Sequence, residues 1–265
     1  MRAVRAATGA LMASSLAAGT LFLAVPADAV TVDYVALGDS YSAGLGAGNY
    51  VGSSGSCDRS YNSYPYLWAA RHASGFTDVA CSGATISDVL SSQVSALSPS
   101  TTEVSITIGG NDAGFTDTLE TCVLKGTDEC LSAVSGAESF AKNTLPGRLA
   151  QTYAAIHAKA PNAHVVVLDY PHLYQVPGDC LFGISNASRS AIDGAADTLD
   201  GVIGNAAARA GFRFADVRAA FDAGHEICGS STPWLHSTTL PVNESYHPTA
   251  AGQEYGYLPE FAASA

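Results

Sequence analysis

Short β-rich apolar runs alternate with helix-like segments along nearly the whole chain, and this alternation limits the possible folds most strongly. The apolar runs are residues 32–37, 76–80, 104–108, 163–168 and 212–217. The helix-like segments are residues 64–73, 86–97, 133–160 (interrupted near Pro146), 184–210 and 250–262. Strands that alternate with helices are joined by right-handed crossovers, which build a parallel sheet with helices on both faces. The sequence therefore predicts one α/β domain of three layers, α/β/α, around a five-stranded parallel sheet.

Three further segments, residues 44–60, 116–129 and 226–245, have the composition of long surface loops. Open parallel sheets bind their ligands beyond the carboxyl ends of the strands, where such loops gather. We therefore expect the functional residues at that edge of the sheet.

The segment 1–29 has the pattern of an export signal. Arg2 and Arg5 precede an apolar stretch from about residue 11 to residue 25, and residues 27–29 supply a small-x-small cleavage site. The apolar stretch is too short to span a bilayer. Cleavage after Ala29 would leave 30–265 as a single secreted domain.

All six cysteines follow this segment, and an even number of cysteines in an exported chain predicts disulfide bonds. Six cysteines allow fifteen connectivities, among which proximity in sequence favours Cys57–Cys81, Cys122–Cys130 and Cys180–Cys228. A metal site is the alternative interpretation, but the chain has no Cys-x-x-Cys pair and its spacing fits no zinc pattern. We expect neither a metal nor a cofactor.

The charge of the chain limits its partners. The full sequence has 12 Lys and Arg against 24 Asp and Glu, and removing the export signal takes away only Arg2, Arg5 and Asp28. The mature chain is therefore strongly acidic, and such a surface repels polyanions, so we do not expect nucleic acid as a partner. It offers no attraction to anionic membranes, and no second long apolar segment follows, so we expect no stable membrane insertion. The predicted protein is a soluble extracellular monomer.

Four short blocks carry residues suited to nucleophilic catalysis. VALGDSYSAG, ACSGATISD and ITIGGNDAGF each follow a predicted strand and contain Ser40, Gly83 and Asn111 respectively. SYHPTAAGQ places His247 before a proline, in an extended or turn conformation at a helix start. A histidine there can take the proton of the Ser40 hydroxyl as a general base. The amides of Ser40 and Gly83, with the Asn111 side chain, would supply three donors for an oxyanion.

Taken singly, these blocks are also explained by a helix N-cap and by turns. Together, from residue 35 to residue 257, they resemble the SGNH (GDSL) hydrolase family. The resemblance implies a flavodoxin-like sheet and hydrolysis through an acyl-enzyme. It also implies that Ser40 is the nucleophile, Gly83 and Asn111 are oxyanion-hole residues and His247 is the base. Within the family, the chain is most similar to small secreted actinobacterial lipases and phospholipases A, whose six cysteines also pair in sequence order.

The chain departs from the family next to the histidine. The family commonly has Asp three residues before the histidine to orient the imidazole, whereas this chain has Glu244 at that position. Some relatives use a main-chain carbonyl instead, which here would be that of Ser245. An imidazole N–H needs only an acceptor in the right place. We expect the Ser245 carbonyl to orient His247, with the Glu244 carboxylate as the alternative.

The substrate is less constrained than the reaction. Lipid acyl esters, as substrates of a lipase or phospholipase A, are favoured by the resemblance. Candidate residues for an acyl groove lie in the loops: Leu45, Tyr50, Phe115, Leu173, Tyr174, Leu181, Phe182, Trp234 and Leu235. An esterase for short-chain or carbohydrate acetyl esters is an alternative within the family. A non-catalytic binding module on the same fold is the alternative from another class, but it would have no need for all four blocks.

Overall fold

Five parallel strands form the central sheet in the order β2-β1-β3-β4-β5. The computed structural model describes residues 31–178, 180 and 183–265, so the predicted export signal, Leu181 and Phe182 lie outside the described residues. The strands are Asp33–Gly38 (β1), Gly75–Asp78 (β2), Glu103–Thr107 (β3), His164–Leu168 (β4) and Arg213–Ala215 (β5). This is the strand order of flavodoxin-like sheets, whose ligands bind where the order reverses, between β1 and β3. The predicted five-stranded parallel sheet is confirmed.

Helices cover both faces of the sheet. They are Ser40–Ala43 (α1), Tyr64–His72 (α2), Ile86–Ser91 (α3), Phe115–Lys125 (α4), Thr127–Asn143 (α5), Leu145–Lys159 (α6), Asn186–Ala210 (α7), Arg218–Phe221 (α8) and Leu258–Ser264 (α9). A π-helical segment, Gly252–Tyr257, precedes α9, and 3-10 turns span Gly52–Cys57, Gln93–Ala96 and Val242–Glu244. No helix in the described part of the chain is long and apolar enough to cross a membrane.

The central strands are buried on both faces, as the predicted sheet requires. Every residue of β3 is buried, and residues 165–168 of β4 are at most 3% exposed. Strands buried on both faces read as continuous apolar runs because no position faces water. Residues 165–168 of β4 form such a run, whereas β3 alternates apolar residues with the buried polar residues Glu103, Ser105 and Thr107.

The predicted surface loop at residues 116–129 is wrong, because this segment forms α4 and the first turn of α5. Threonines and a glycine make its intrinsic helix propensity low. Leu119 and Cys122 are nevertheless buried against the core, and the Cys122–Cys130 disulfide joins α4 to α5. Tertiary packing supplies most helical stability in proteins, and here it outweighs the weak local preference.

Three disulfides join Cys57 to Cys81, Cys122 to Cys130 and Cys180 to Cys228, the pairs that proximity favours. Residues 31–265 form one compact unit. The bonds therefore connect parts of the same domain.

Candidate active site

Ser40 lies where β1 ends and α1 begins. The Asp39 side chain caps this short helix by accepting a hydrogen bond from the backbone N–H of Tyr41 at 3.0 Å. Gly38, with φ of +120°, lies so close to β3 that a Cβ there would be 2.4 Å from the Thr107 carbonyl oxygen. Only glycine fits this turn, which carries the Ser40 side chain beyond the edge of the sheet.

The segment before α9 brings the His247 imidazole to the Ser40 hydroxyl. Nε2 of His247 lies 2.8 Å from Ser40 Oγ, and Nδ1 lies 3.0 Å from the main-chain carbonyl oxygen of Ser245. The carbonyl can only accept, so Nδ1 carries the proton and Nε2 is left as the acceptor. In this arrangement the hydroxyl donates its hydrogen bond to the nitrogen that would remove the proton.

The backbone next to His247 is held in an uncommon conformation. Tyr246 has φ of +64°, in the left-handed region, and its carbonyl accepts a hydrogen bond from the Tyr41 hydroxyl at 2.7 Å. His236 pairs with this segment through backbone bonds to Tyr246 and His247, and its Nε2 donates to the Gly46 carbonyl at 2.8 Å. His236 therefore positions the His247 segment, a contact for which the sequence gives no signal.

The three predicted oxyanion donors lie around the same space. Gly83 has φ of +78°, a backbone conformation that favours glycine. Crowding is not the reason for a glycine here, since a Cβ would meet nothing within 4 Å. Among the described residues, no acceptor pairs with the backbone N–H of Ser40 or Gly83. The Asn111 side chain donates to the Ala84 carbonyl at 2.9 Å, and its amide nitrogen retains a second donor. The structure thus brings Ser40, Gly83, Asn111 and His247 to one cavity.

This cavity has a volume of about 730 Å³ and an apolar wall. Its aliphatic and aromatic lining includes Leu45, Phe115, Leu119, Val123, Leu124 and Val242. Four of these residues belong to α4, so the mispredicted segment forms much of the wall. Of the other candidates for an acyl groove, Leu173 and Leu235 are core residues, 1% and 2% exposed. Tyr174 lines a separate cavity, and Trp234 packs against the core.

A buried network beneath Ser40 was not predicted. The Asp39 carboxylate accepts hydrogen bonds from Thr107 Oγ1 at 2.8 Å and from the Tyr170 hydroxyl at 2.5 Å. The Tyr170 hydroxyl in turn accepts from the Gly110 N–H at 3.1 Å, next to Asn111. Burial raises the pKa of Asp39 to about 6, although these hydrogen bonds oppose the shift. Tyr170 thus connects the turn of the candidate nucleophile to the loop of Asn111.

Comparison with known proteins identifies the family of this chain. Residues 36–255 match the GDSL-like Lipase/Acylhydrolase family, and all four site residues lie within the match. The chain belongs to this family. A lipase from Streptomyces rimosus is 53% identical over 259 residues, 96% of each protein. The crystal structure of the extracellular lipase from Streptomyces rimosus has 54% identity and a TM-score of 0.86, covering 89% of this chain and 100% of that chain.

A second solved structure, phospholipase A1 from Streptomyces albidoflavus NA297, has 52% identity and a TM-score of 0.86 with the same coverage. Family membership makes this protein an ester hydrolase of the GDSL kind. The predicted fold class and reaction class are therefore confirmed.

Glu244, at the position where the family commonly has Asp, does not contact the His247 imidazole. Glu244 Oε1 accepts a hydrogen bond from the Tyr50 hydroxyl at 2.7 Å, and the Tyr50 oxygen accepts from the Gly46 N–H at 2.9 Å. Burial and this bond to Glu244 raise the pKa of Tyr50 to about 12, so its hydroxyl stays protonated. Glu244 thus ties the segment before His247 to the turn after α1, while the Ser245 carbonyl is the acceptor at Nδ1.

Replacing Glu244 with alanine is expected to lower kcat/KM by less than about tenfold, the scale of one lost positioning hydrogen bond. The matched variant Tyr50→Phe removes the same bond from the other side and should give the same small change. Steady-state hydrolysis of a soluble short-chain ester measures both. A loss of about a thousandfold in Glu244→Ala alone, as for a triad member, would show that the carboxylate orients the imidazole.

The pH dependence of kcat/KM should reflect the lowered pKa of the buried His247 imidazole. Burial lowers the pKa of its imidazole to about 4 by disfavouring the imidazolium, and the bond to Ser245 opposes this shift. Since the base must be neutral, kcat/KM should stay level from pH 7 to about pH 5 and fall about tenfold per unit below about pH 4.

Asp39 is the control for this measurement, because its pKa of about 6 lies in the same range. A step near pH 6 that disappears in Asp39→Asn would belong to Asp39. A midpoint near the ordinary histidine pKa that persists in Asp39→Asn would contradict the expected profile.

Proposed function

We propose that the protein hydrolyses acyl esters of lipids, phospholipids included, through an acyl-enzyme on Ser40. One observation carries the proposal: Ser40 Oγ lies 2.8 Å from His247 Nε2 in a cavity of about 730 Å³ with an apolar wall. A nucleophile bonded to a base supports acyl transfer, and an apolar space of this size supports an acyl chain as the group transferred.

In this mechanism, His247 takes the hydroxyl proton as Ser40 Oγ attacks the ester carbonyl. The new negative charge on the carbonyl oxygen is stabilised by the N–H groups of Ser40 and Gly83 and by the Asn111 amide. The imidazolium then returns its proton to the leaving alcohol, while its Nδ1–H stays bonded to the Ser245 carbonyl. Water, activated by the same imidazole, releases the fatty acid in the second half of the cycle.

The cavity favours long acyl chains over acetyl groups. An acetyl group would contact only the part of the cavity next to Ser40 and would leave the α4 wall, including Leu119, Val123 and Leu124, without a partner. Burying each further CH₂ of an acyl chain contributes about 0.8 kcal/mol. A relative with the same fold is a phospholipase A1, which supports phospholipids as part of the substrate range.

We also infer that the protein acts outside the cell after cleavage behind Ala29. Three disulfides and a relative described as extracellular support this inference. That relative's structure is matched over its full length by 89% of this chain.

The direct test measures fatty acid and lysophospholipid released from phosphatidylcholine micelles labelled differently at the two acyl positions. The mature enzyme should release fatty acid, and Ser40→Ala should release it at least about ten-thousandfold more slowly. Label from the sn-1 chain would define a phospholipase A1 activity. Cleavage of short acetyl esters through Ser40 without release from phosphatidylcholine would instead favour the acetylesterase alternative.

A further inference from the structure

Exposed apolar side chains gather at the mouth of the active-site cavity. Val123 and Leu124 at the end of α4 are 39% and 68% exposed, and Val242 in the 3-10 turn before His247 is 67% exposed. All three line the cavity, so their exposure places them at its mouth. Leu240, 85% exposed, lies two residues before Val242. We call these four residues the apolar rim.

The apolar rim contains half of the large hydrophobic side chains that are exposed in the described part of the chain. Single exposed apolar residues are normal on soluble proteins, whereas a cluster around a ligand site marks an interaction surface. Three of the four residues line one cavity, and Leu240 is two positions from Val242 along the chain. The cluster therefore needs a partner that covers it.

Both segments that carry the apolar rim are held in place by bonds to other parts of the fold. The Cys122–Cys130 disulfide lies directly before Val123 and joins α4 to α5. Val242 begins a 3-10 turn that ends at Glu244, whose carboxylate is bound by Tyr50 at 2.7 Å. The apolar side chains are thus presented around the open cavity without a rearrangement.

The charged residues near the apolar rim determine whether an anionic or a zwitterionic surface can cover it. Asp58 and Glu120 line the same cavity, Asp117 lies on α4, and Lys125 follows Leu124. Carboxylates outnumber the cation here, as they do in the chain as a whole, with a net charge of −12. An anionic surface would be repelled, whereas a zwitterionic surface leaves apolar contact as the attraction.

We propose that the apolar rim docks on a zwitterionic phospholipid surface. This inference rests on the proposed function, because the surface is the aggregate from which the substrate comes. Docking places the cavity mouth against the lipid, so an acyl chain moves from the aggregate toward Ser40 along apolar contacts. Transfer through water would instead expose every CH₂ of the chain.

Binding can be measured without turnover by sedimenting Ser40→Ala protein with phosphatidylcholine vesicles. Adding Leu240→Ser or Leu124→Ser to this protein should weaken binding about tenfold, the scale of keeping one leucine side chain in water. The matched control is Tyr255→Ser, because Tyr255 is 54% exposed and does not line the cavity. It should bind like the parent.

Two conditions separate apolar docking from electrostatic attraction. Raising the salt concentration to about 0.5 M screens surface charges and should leave binding within about twofold. Adding the anionic lipid phosphatidylglycerol to the vesicles should not tighten the binding. Equal binding by all the variants, an equal loss in Tyr255→Ser, or tighter binding to phosphatidylglycerol would overturn the proposal.

Activity measurements keep this proposal distinct from the proposed function. With Ser40 intact, Leu240→Ser should hydrolyse a soluble short-chain ester at the parent rate and phosphatidylcholine vesicles about tenfold more slowly at low lipid concentration. Equal vesicle rates in parent and variant would contradict docking. Vesicle binding that depends on the rim, without release of fatty acid by the parent, would support docking and contradict the proposed phospholipid hydrolysis.

Discussion

Replacing Ser40 with alanine is expected to lower kcat by at least about ten-thousandfold, because both the nucleophile and the partner of the base are lost. The Ser40 hydroxyl lies 2.8 Å from His247 Nε2, and a water molecule in its place would not be held covalently at that position. Hydrolysis of a soluble p-nitrophenyl ester measures the loss. The cavity and the oxyanion donors remain, so a small residual rate above that in water is expected.

His247→Ala provides the matched measurement. Residues that act as one unit are strongly non-additive, so the double variant Ser40→Ala/His247→Ala should be no slower than either single variant by more than a few-fold. An unchanged melting temperature would show that the fold is intact. Retention of more than about one per cent of kcat in Ser40→Ala would identify a different nucleophile.

The second large effect is expected for Asn111→Ala, which should lower kcat about 100- to 1,000-fold with little change in KM. The Asn111 amide stabilises charge that develops only in the tetrahedral intermediate, so its loss affects the chemical step more than substrate binding. Its bond to the Ala84 carbonyl at 2.9 Å keeps the side chain in place before substrate arrives.

Asn143→Ala is a suitable control, because the Asn143 side chain also donates to a main-chain carbonyl, that of Ser139, on the exposed face of α5. It should have no effect on kcat. If Asn111→Ala instead raised KM with kcat unchanged, Asn111 would bind the substrate rather than stabilise the oxyanion.

Much of the sheet and its carboxyl edge could be predicted, because short β-rich apolar runs alternate with helix-like segments. The β4 run is the clearest of them, since residues 165–168 are apolar and buried. Helix α4 was missed because its threonines gave it the composition of a loop. Its residues Phe115, Leu119 and Val123 nevertheless recur every four positions, which is the spacing of one helix face. That spacing is the signal that could have identified the cavity wall.

The contacts of the site also divide into those that could be predicted from the sequence and those that could not. Ser40 and His247 were predicted because each stands in a short block at the end or start of an element. The bond between Asp39 and Tyr170 joins residues 131 positions apart, and Tyr170 belongs to no such block. The partner of Glu244 could not be predicted either, since Tyr50 reaches it only through the folded arrangement of two loops. Contacts that depend on tertiary structure leave no local pattern.

The carbonyl acceptor behind His247 has a consequence for the resting enzyme. The relay from Ser40 through His247 to the Ser245 carbonyl contains a hydroxyl, a neutral imidazole and an amide oxygen, and the Glu244 carboxylate is bound elsewhere. Before the reaction starts, this relay therefore carries no ion that water must solvate. An acyl chain can displace the water next to these three groups without leaving an ion of the relay in a medium of low dielectric constant. The entering substrate can thus exclude water from the catalytic centre. The oxyanion and the imidazolium then form in an environment from which water has already been removed.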